Sequence, residues 1–422
     1  MNIIFAEHQT KAYKDIEQTG ISIFDIPDKS DKNVYLGLIS NCRNQTVSAS
    51  YYIGTAWLKE RECSVSIVPK LEIDYLSMFM ECFCYDDEDI QDKLMHIYYI
   101  DFEKPYIQVD NISFELTPFI IAHLLQLVKK ILKKGLKKDY ILREANLKGK
   151  VKGKVMFAQQ FKKNILIQRE ENNYCRFQEY SEDCIENQIL KKALCFAEHF
   201  LNSYDLSCTS NLRSSLNNAL SHFCNVTDIN NKQKIKQCRI NPLYREYARA
   251  LKVAKLILRR FSYDISTADK STDKNLPPFW IDMPLLYELY TLSLLRKRFE
   301  KNIYYHIATY KDEIDFGKRD EALIMDAKYV PAWGEEVKRE HVGQLSRYAR
   351  SPGIRKKLLG RDDDQCICNC LLLYPSENGI SEFTEEEILR EQKVESIGYL
   401  RFYKLGVQLP KRIKVVPPFQ GL

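Results

Sequence analysis

The sequence predicts a mixed α+β and α/β protein. A β-rich and helical amino-terminal region precedes a carboxy-terminal domain with a mixed central sheet flanked by helices. Three observations point there. Short alternating apolar segments recur through the first 115 residues, helical periods dominate the middle of the chain, and beyond residue 280 the order is helix, three strands, helix, strand.

At 422 residues the chain has room for two or three domains. A hydrophobic content of 45% and a charged content of 28% are those of a soluble globular protein. No apolar run reaches the length of a membrane span. The start, MNIIFAEHQTKAYK, lacks the basic stretch followed by an apolar core that marks a signal peptide, so a cytoplasmic location is expected. The 13 cysteines are scattered and include no C-x-x-C pair, which favours reduced, buried thiols over zinc or an iron–sulfur cluster. The seven histidines form no metal motif. A formal charge of +6 permits nucleic-acid binding without demanding it.

Alternation predicts strands over 33–39, 48–58, 63–69, 97–102 and 106–114, with a helix over 74–85. Thr117-Pro118 reads as a helix start, followed by Ile120, Ile121, Leu124, Leu127, Val128, Ile131 and Leu132 at helical spacing and by Gly135 as a cap. Lysines crowd 129–154. They read either as a phosphate- or partner-binding face or as a solvated helix end. VKGKVMFA, 151–158, reads as a tight glycine turn between strands. Helices are predicted over 181–201, capped by Ser181 or Asp183, and over 241–261, with Pro242 near its start. The stretch after Phe261 is poor in apolar residues and reads as a linker. The predicted organisation is therefore 1–115, 116–265, a linker at 266–278, and 279–422.

In the last part, 281–299 reads as a helix with an Asp-x-Pro start and carries Glu288. A strand over 303–310 precedes a hairpin, with strands at 313–317 and 322–330 joined by the turn 318–321. A turn centred between Asp320 and Glu321 sets Asp315 opposite Asp326 and Glu313 opposite Lys328. One face then collects Glu313, Asp315, Asp326 and Lys328, with Glu313 placed to orient the lysine, and Ile314, Phe316, Met325 and Ala327 form a buried face. Facing carboxylates repel unless something offsets them. A divalent cation does so, and hard oxygen ligands suit Mg²⁺ or Mn²⁺. With a lysine alongside, these are the groups that phosphodiester hydrolysis requires. An exposed hairpin with ordinary salt bridges gives the same D-x10-D-x-K spacing, so the pattern alone leaves both readings open. Further on, a helix over 340–349 sets Gln344 and Tyr348 one turn apart, 366–375 reads as a buried strand, and 397–405 and 411–416 read as further strands.

This order of elements, with Asp315, Asp326 and Lys328 in these places, resembles the PD-(D/E)XK restriction-endonuclease-like superfamily. Gln344 and Tyr348 match the Q-x-x-x-Y pattern of its RecB-like branch. The segments LKKGLKKDY, VKGKVMFA, SEDCIENQILKKAL, IDMPLLYELY, EIDF…LIMDAKY, GQLSRY and LLLYPS fall in the order of the McrC family, the nuclease subunit of McrBC-type modification-dependent restriction systems. The resemblance implies a metal-dependent DNA endonuclease in which Asp315 and Asp326 hold Mg²⁺ or Mn²⁺, joined by the Ala327 carbonyl and by Glu288. Lys328 would position the attacking water, and Gln344 and Tyr348 would support Lys328 or contact the DNA backbone. Ile314 stands where the name motif has proline, a departure that removes no metal-binding oxygen. The resemblance further implies an amino-terminal part that docks on a McrB-like AAA+ GTPase ring and stimulates it. The substrate is then double-stranded, modified DNA, and nuclease domains pair for double-strand cleavage. Lys70, Gly153 and Lys154 lie in matching segments. No Walker A motif is present, so GTP is expected only through the partner. Two alternatives are a protein acting chiefly as GTPase activator and a standalone RecB-like nuclease.

Overall fold

The alternating segments Tyr52–Lys59 and Cys63–Val68 pair as an antiparallel hairpin, and Ile53, Val65 and Ile67 in it are fully buried. Asn2–Ala6 adds to one side in parallel. Phe279–Asp282 and then Tyr98–Ile100 add to the other, both antiparallel, to complete a five-stranded sheet. Phe5, Leu38, Val47, Val65, Ile67 and Trp280 share its core. The computed structural model describes residues 2–17, 37–71, 73–85, 87–101, 104–108, 117–203, 209–229, 245–264, 275–310, 312–330, 339–360 and 366–411. Most of the expected linker, the end of the strand predicted at 106–114, Pro242 and most of the strand predicted at 411–416 lie outside the described residues.

The chain forms two compact units, Met1–Glu115 with Ser271–Leu422 and Leu116–Lys270. The expected boundary at 279 falls inside the first unit. Residues 279–282 are an inner strand of the amino-terminal sheet, and 281–282 are not the head of the next helix. That helix, Met283–Phe299, starts where the Asp282 carboxylate accepts the Leu285 N–H at 3.0 Å and Pro284 enters the first turn. It is apolar on nearly every side, as a helix buried on all faces must be. It packs on the helix Tyr75–Cys84 and on strands Ile303–Ala308 and Leu323–Ala327.

Those two strands belong to a six-stranded mixed sheet ordered Ile303–Ala308, Glu313–Lys318, Leu323–Ala327, Asn369–Ile380, Phe402–Val407, Glu395–Ser396. The first three are antiparallel neighbours, and the next two pairings are parallel. A parallel return from 327 to 369 needs a crossover, and the helices Arg339–Arg350 and Pro352–Leu359 lie in it. Their apolar faces (Val342, Leu345, Tyr348, Ile354, Leu358) close on Ile307, Ile314, Ile324, Leu372 and Phe402. Gly317 permits the close approach, since a Cβ there would sit 2.8 Å from Leu358 Cδ1. Both faces of this sheet are covered, so Ile324 and Met325 are buried alike, where the sequence pattern predicted one polar face.

The second unit brings together helices Thr117–Lys134, Ile185–Ser203, Thr209–Ser221 and Arg245–Asp264. It also carries a long arm that the sequence reading missed. Asp139–Lys148 and Asn172–Ser181 pair antiparallel over ten residues each. Gly153 turns the chain onto the arm at φ +67°, where a Cβ would lie 2.5 Å from the Arg176 carbonyl oxygen. The arm ends in Phe157–Lys163 and Ile165–Ile167. The buried amide of Asn164 knits that end together, bonding Asn146, Gln160 and the Asn172 carbonyl at 2.7–3.0 Å. The helix predicted from 181 starts at Ile185, because the Asp183 carboxylate is taken by Thr227 and Gln188. Several lysines of the 129–154 stretch are neutralised. Lys137 pairs with Glu186 and Asp139, Lys138 with Glu182, Lys148 with Glu171 and Lys152 with Glu179. Cys42 and Cys224 are exposed rather than buried. Among the described residues no helix is long and apolar enough to cross a membrane.

The turn between the strands at 313–318 and 323–327 is held by a buried pair. Lys318 Nζ donates to Glu321 Oε1 at 2.7 Å, and Glu321 also accepts the N–H groups of Ile388 and Leu389 at 2.8 and 3.0 Å. Glu321→Ala strands the Lys318 ammonium, which is 3% exposed. We expect a loss of about 3–5 kcal/mol in urea denaturation, with Glu321→Gln costing less.

Candidate active site

The hairpin register is the one the turn dictates. Lys318 pairs with Leu323, Gly317 with Ile324 and Phe316 with Met325, and the next residues along the two strands are Asp315 and Asp326. Asp326 is 3% exposed, and Asp315 Oδ2 accepts the Ala327 N–H at 2.8 Å. Burial, then the Asp326 charge, then that of Glu288 push the Asp315 carboxyl well above the usual carboxylate range. Lys328 lies 2.8 Å from Asp326 Oδ2 as an ion pair, although that oxygen has no aligned hydrogen-bond donor. Burial pulls the Lys328 ammonium down. Asp326, Asp315 and Tyr348 more than offset that and hold it above its ordinary value. Gln344 Nε2 donates to the Tyr348 hydroxyl at 2.9 Å, one turn along the helix as the spacing predicts. The structure thus brings Asp315, Asp326, Ala327, Lys328 and Tyr348 together, with Gln344 behind Tyr348.

Glu313 does not orient Lys328. It is more than half exposed and pairs with His306 Nδ1. The reason is local: the strand pairing passes from Tyr305–Phe316 to Ile307–Ile314, stepping over His306 and Asp315, and His306 adopts φ 52°. A left-handed non-glycine residue costs on the order of 1 kcal/mol and often marks a functional site. Here it swings the imidazole between two acids. Glu288 accepts from His306 Nε2 and from the Tyr305 hydroxyl, both at 2.7 Å. Burial would raise the Glu288 carboxyl, but these bonds hold it low. Burial lowers His306, and the two glutamates outweigh that and raise it. Sequence spacing gave no sign of His306 or Tyr305.

Two facing carboxylates supply hard oxygens that fit Mg²⁺ or Mn²⁺, and a cation there removes the repulsion that raises Asp315. Among the described residues no group of three or more His, Cys, Asp or Glu side chains gathers for a metal.

Behind the site lies a contact that no sequence signal announced. The Tyr329 hydroxyl donates to Glu7 Oε2 at 3.2 Å, and the Lys70 N–H donates to the same oxygen at 3.0 Å. Glu7 is 1% exposed.

The mixed sheet thus carries a carboxylate pair and a lysine at one strand end. Residues 47–350, more than half of the chain, match the family described as McrBC 5-methylcytosine restriction system component, and the chain belongs to that family. No curated protein sequence matches. Among solved structures, a refined half-complex from a tetradecameric assembly of Thermococcus gammatolerans McrB AAA+ hexamers with bound McrC matches at TM-score 0.36 and 14% identity, over 97% of this chain and 94% of that one. A cryo-EM structure of the Thermococcus gammatolerans McrBC complex matches at TM-score 0.31 and 16% identity, over 74% of this chain and 90% of that one. These scores are too low to carry site detail across.

Two outcomes follow. Without divalent cation, Asp315→Asn removes the repulsion and should raise the melting temperature or leave it unchanged. Burial raises the Glu7 carboxyl from 4.5 to about 7, so the stability it allows is fully present below 4.5 and is lost as pH rises through 7. Glu7→Gln should remove a pH-dependent loss on the order of 3 kcal/mol between pH 5 and 8 in urea denaturation.

Proposed function

We propose that this chain is the McrC-type subunit of a modification-dependent restriction system. It would be a PD-(D/E)XK-like DNA endonuclease that cuts when assembled with an AAA+ GTPase. The observation that carries the reading is half-buried Asp315 beside buried Asp326, with Lys328 next to them. The chemistry a bound Mg²⁺ or Mn²⁺ supplies is charge neutralisation at the scissile phosphate and a water of lowered pKa. Asp315 and Asp326, with the Ala327 carbonyl, would hold it. Glu288, engaged by His306 and Tyr305, would be an ionised carboxylate near the site. Lys328 keeps its proton, since Asp326, Asp315 and Tyr348 raise it against burial. Its role is therefore electrostatic: it orients the attacking water and meets the charge that grows on the phosphate oxygens. Gln344 fixes the Tyr348 hydroxyl, and Tyr348 steadies Lys328 or meets the DNA backbone.

The second unit supports a docking role. The end of its arm exposes Phe157, Phe161, Ile165, Leu166 and Ile167, an apolar cluster that a folded chain leaves in water only for a partner. We assign this tip to the motor ring, so that GTP acts only through that partner. The same surface favours a dual role as GTPase activator over a standalone nuclease. The substrate would be double-stranded DNA carrying a modified base. Two copies of the nuclease site would pair to cut both strands in the cytoplasm.

The test is plasmid cleavage with the cognate motor, GTP and Mg²⁺. Asp326→Ala and Lys328→Ala should each lower cleavage by at least about a hundredfold while leaving stimulated GTP hydrolysis intact. Phe157→Asp with Leu166→Asp should abolish stimulation and motor-dependent cleavage together. Full cleavage by Lys328→Ala would sink the site assignment.

A further inference from the structure

We propose that Glu7, acting through Tyr329, is a positioning residue for Lys328, so that the amino-terminal sheet completes the active site. The inference deepens the nuclease reading and rests on it. Lys328 stands one residue beyond the strand Leu323–Ala327, where the pairing with the next strand ends at Ala327–Leu373. Its N–H still donates to the Leu373 carbonyl at 2.9 Å, which fixes the chain on one side. On the other side the side chain of Tyr329 holds it. That ring is 4% exposed and packs against Tyr287 and Tyr51, with centroids 5.9 and 6.1 Å away. Its hydroxyl ends on Glu7, 322 residues away in sequence.

Glu7 is itself fixed from the amino-terminal sheet. Its N–H donates to the Val68 carbonyl at 3.0 Å, and its Oε2 takes the Lys70 N–H at 3.0 Å as well as the Tyr329 hydroxyl. The Tyr51 hydroxyl feels both ends of this arrangement. Burial raises it, the Glu7 charge raises it further, and Lys328 opposes them. Both donors on Glu7 are neutral groups, and burial holds the carboxyl near neutrality, at about 7. The pocket is built for an acceptor oxygen more than for a charge. A lysine that must meet a developing charge loses rate when displaced by about 1 Å, by a factor of up to roughly a hundred. Glu7 and Tyr329 touch none of the reacting atoms. They set where Lys328 begins.

The experiment uses the full chain with its motor, GTP and Mg²⁺ on plasmid DNA. Tyr329→Phe and Glu7→Ala should lower kcat about 10- to 100-fold at unchanged KM for DNA. Glu7→Gln, whose amide oxygen accepts from the same donors, should stay within about threefold of wild type. Hydrogen exchange of the 323–330 segment should accelerate in Tyr329→Phe and Glu7→Ala and hold at the wild-type rate in Glu7→Gln. Kcat within about twofold of wild type in both disruptive variants overturns the role. So does a Glu7→Gln variant as impaired as Glu7→Ala, or exchange unchanged throughout. If Lys328→Ala cleaves like wild type, the nuclease reading itself falls, and the exchange rates alone decide whether Glu7 and Tyr329 hold the strand end.

Discussion

Half-buried Asp315 and buried Asp326 lie close enough to repel each other, and the surrounding structure must tolerate that repulsion. Burial and the neighbouring charge already raise the Asp315 carboxyl far above its ordinary range. Local geometry keeps the pair in place. The tight turn fixes the register, the Lys318–Glu321 pair anchors the turn, and the Ala327 N–H holds one oxygen of Asp315. Lys328 supplies the compensating positive charge. Two such carboxylates are unfavourable by themselves, and a cation bound between their oxygens would offset the repulsion.

The same constraint explains two features outside the hairpin. His306 takes a strained backbone conformation that lodges its ring between Glu288 and Glu313, so both acids have a partner, although the Glu288 charge still adds to the repulsion that raises Asp315. The amino-terminal sheet reaches the strand end through Glu7 and Tyr329. The unit that carries the carboxylates is thus built from both ends of the chain, and Phe279–Asp282 inside the first sheet is its covalent link.

Much of the carboxy-terminal part was legible because its signals are local. Asp315 and Asp326 meet through a four-residue turn, and Gln344 meets Tyr348 through one helical turn. Asp282 and Pro284 mark a helix start that the structure keeps. What was illegible depends on distance or on both faces being buried. Glu7 meets Tyr329 across 322 residues, and nothing near residue 7 announces it. His306 required a backbone outlier that no propensity indicates. The arm at 139–181 was missed because Asp139–Lys148 buries no residue and Asn172–Ser181 buries only Cys175 and Phe177, so they lack the sustained apolar alternation that marks a strand packed on a core. The lysine-rich stretch left two readings open, a phosphate- or partner-binding face and a solvated helix end, because the acids that pair with several of its lysines lie elsewhere in the sequence, at Glu171, Glu179, Glu182 and Glu186.

The central claim is that the two hairpin aspartates together hold a divalent cation. Isothermal titration of Mn²⁺ into the full chain tests it without DNA, nucleotide or partner. The account predicts saturable binding by wild type that is lost in both Asp315→Asn and Asp326→Asn and kept in Glu313→Gln. Wild-type binding in either aspartate variant would contradict it.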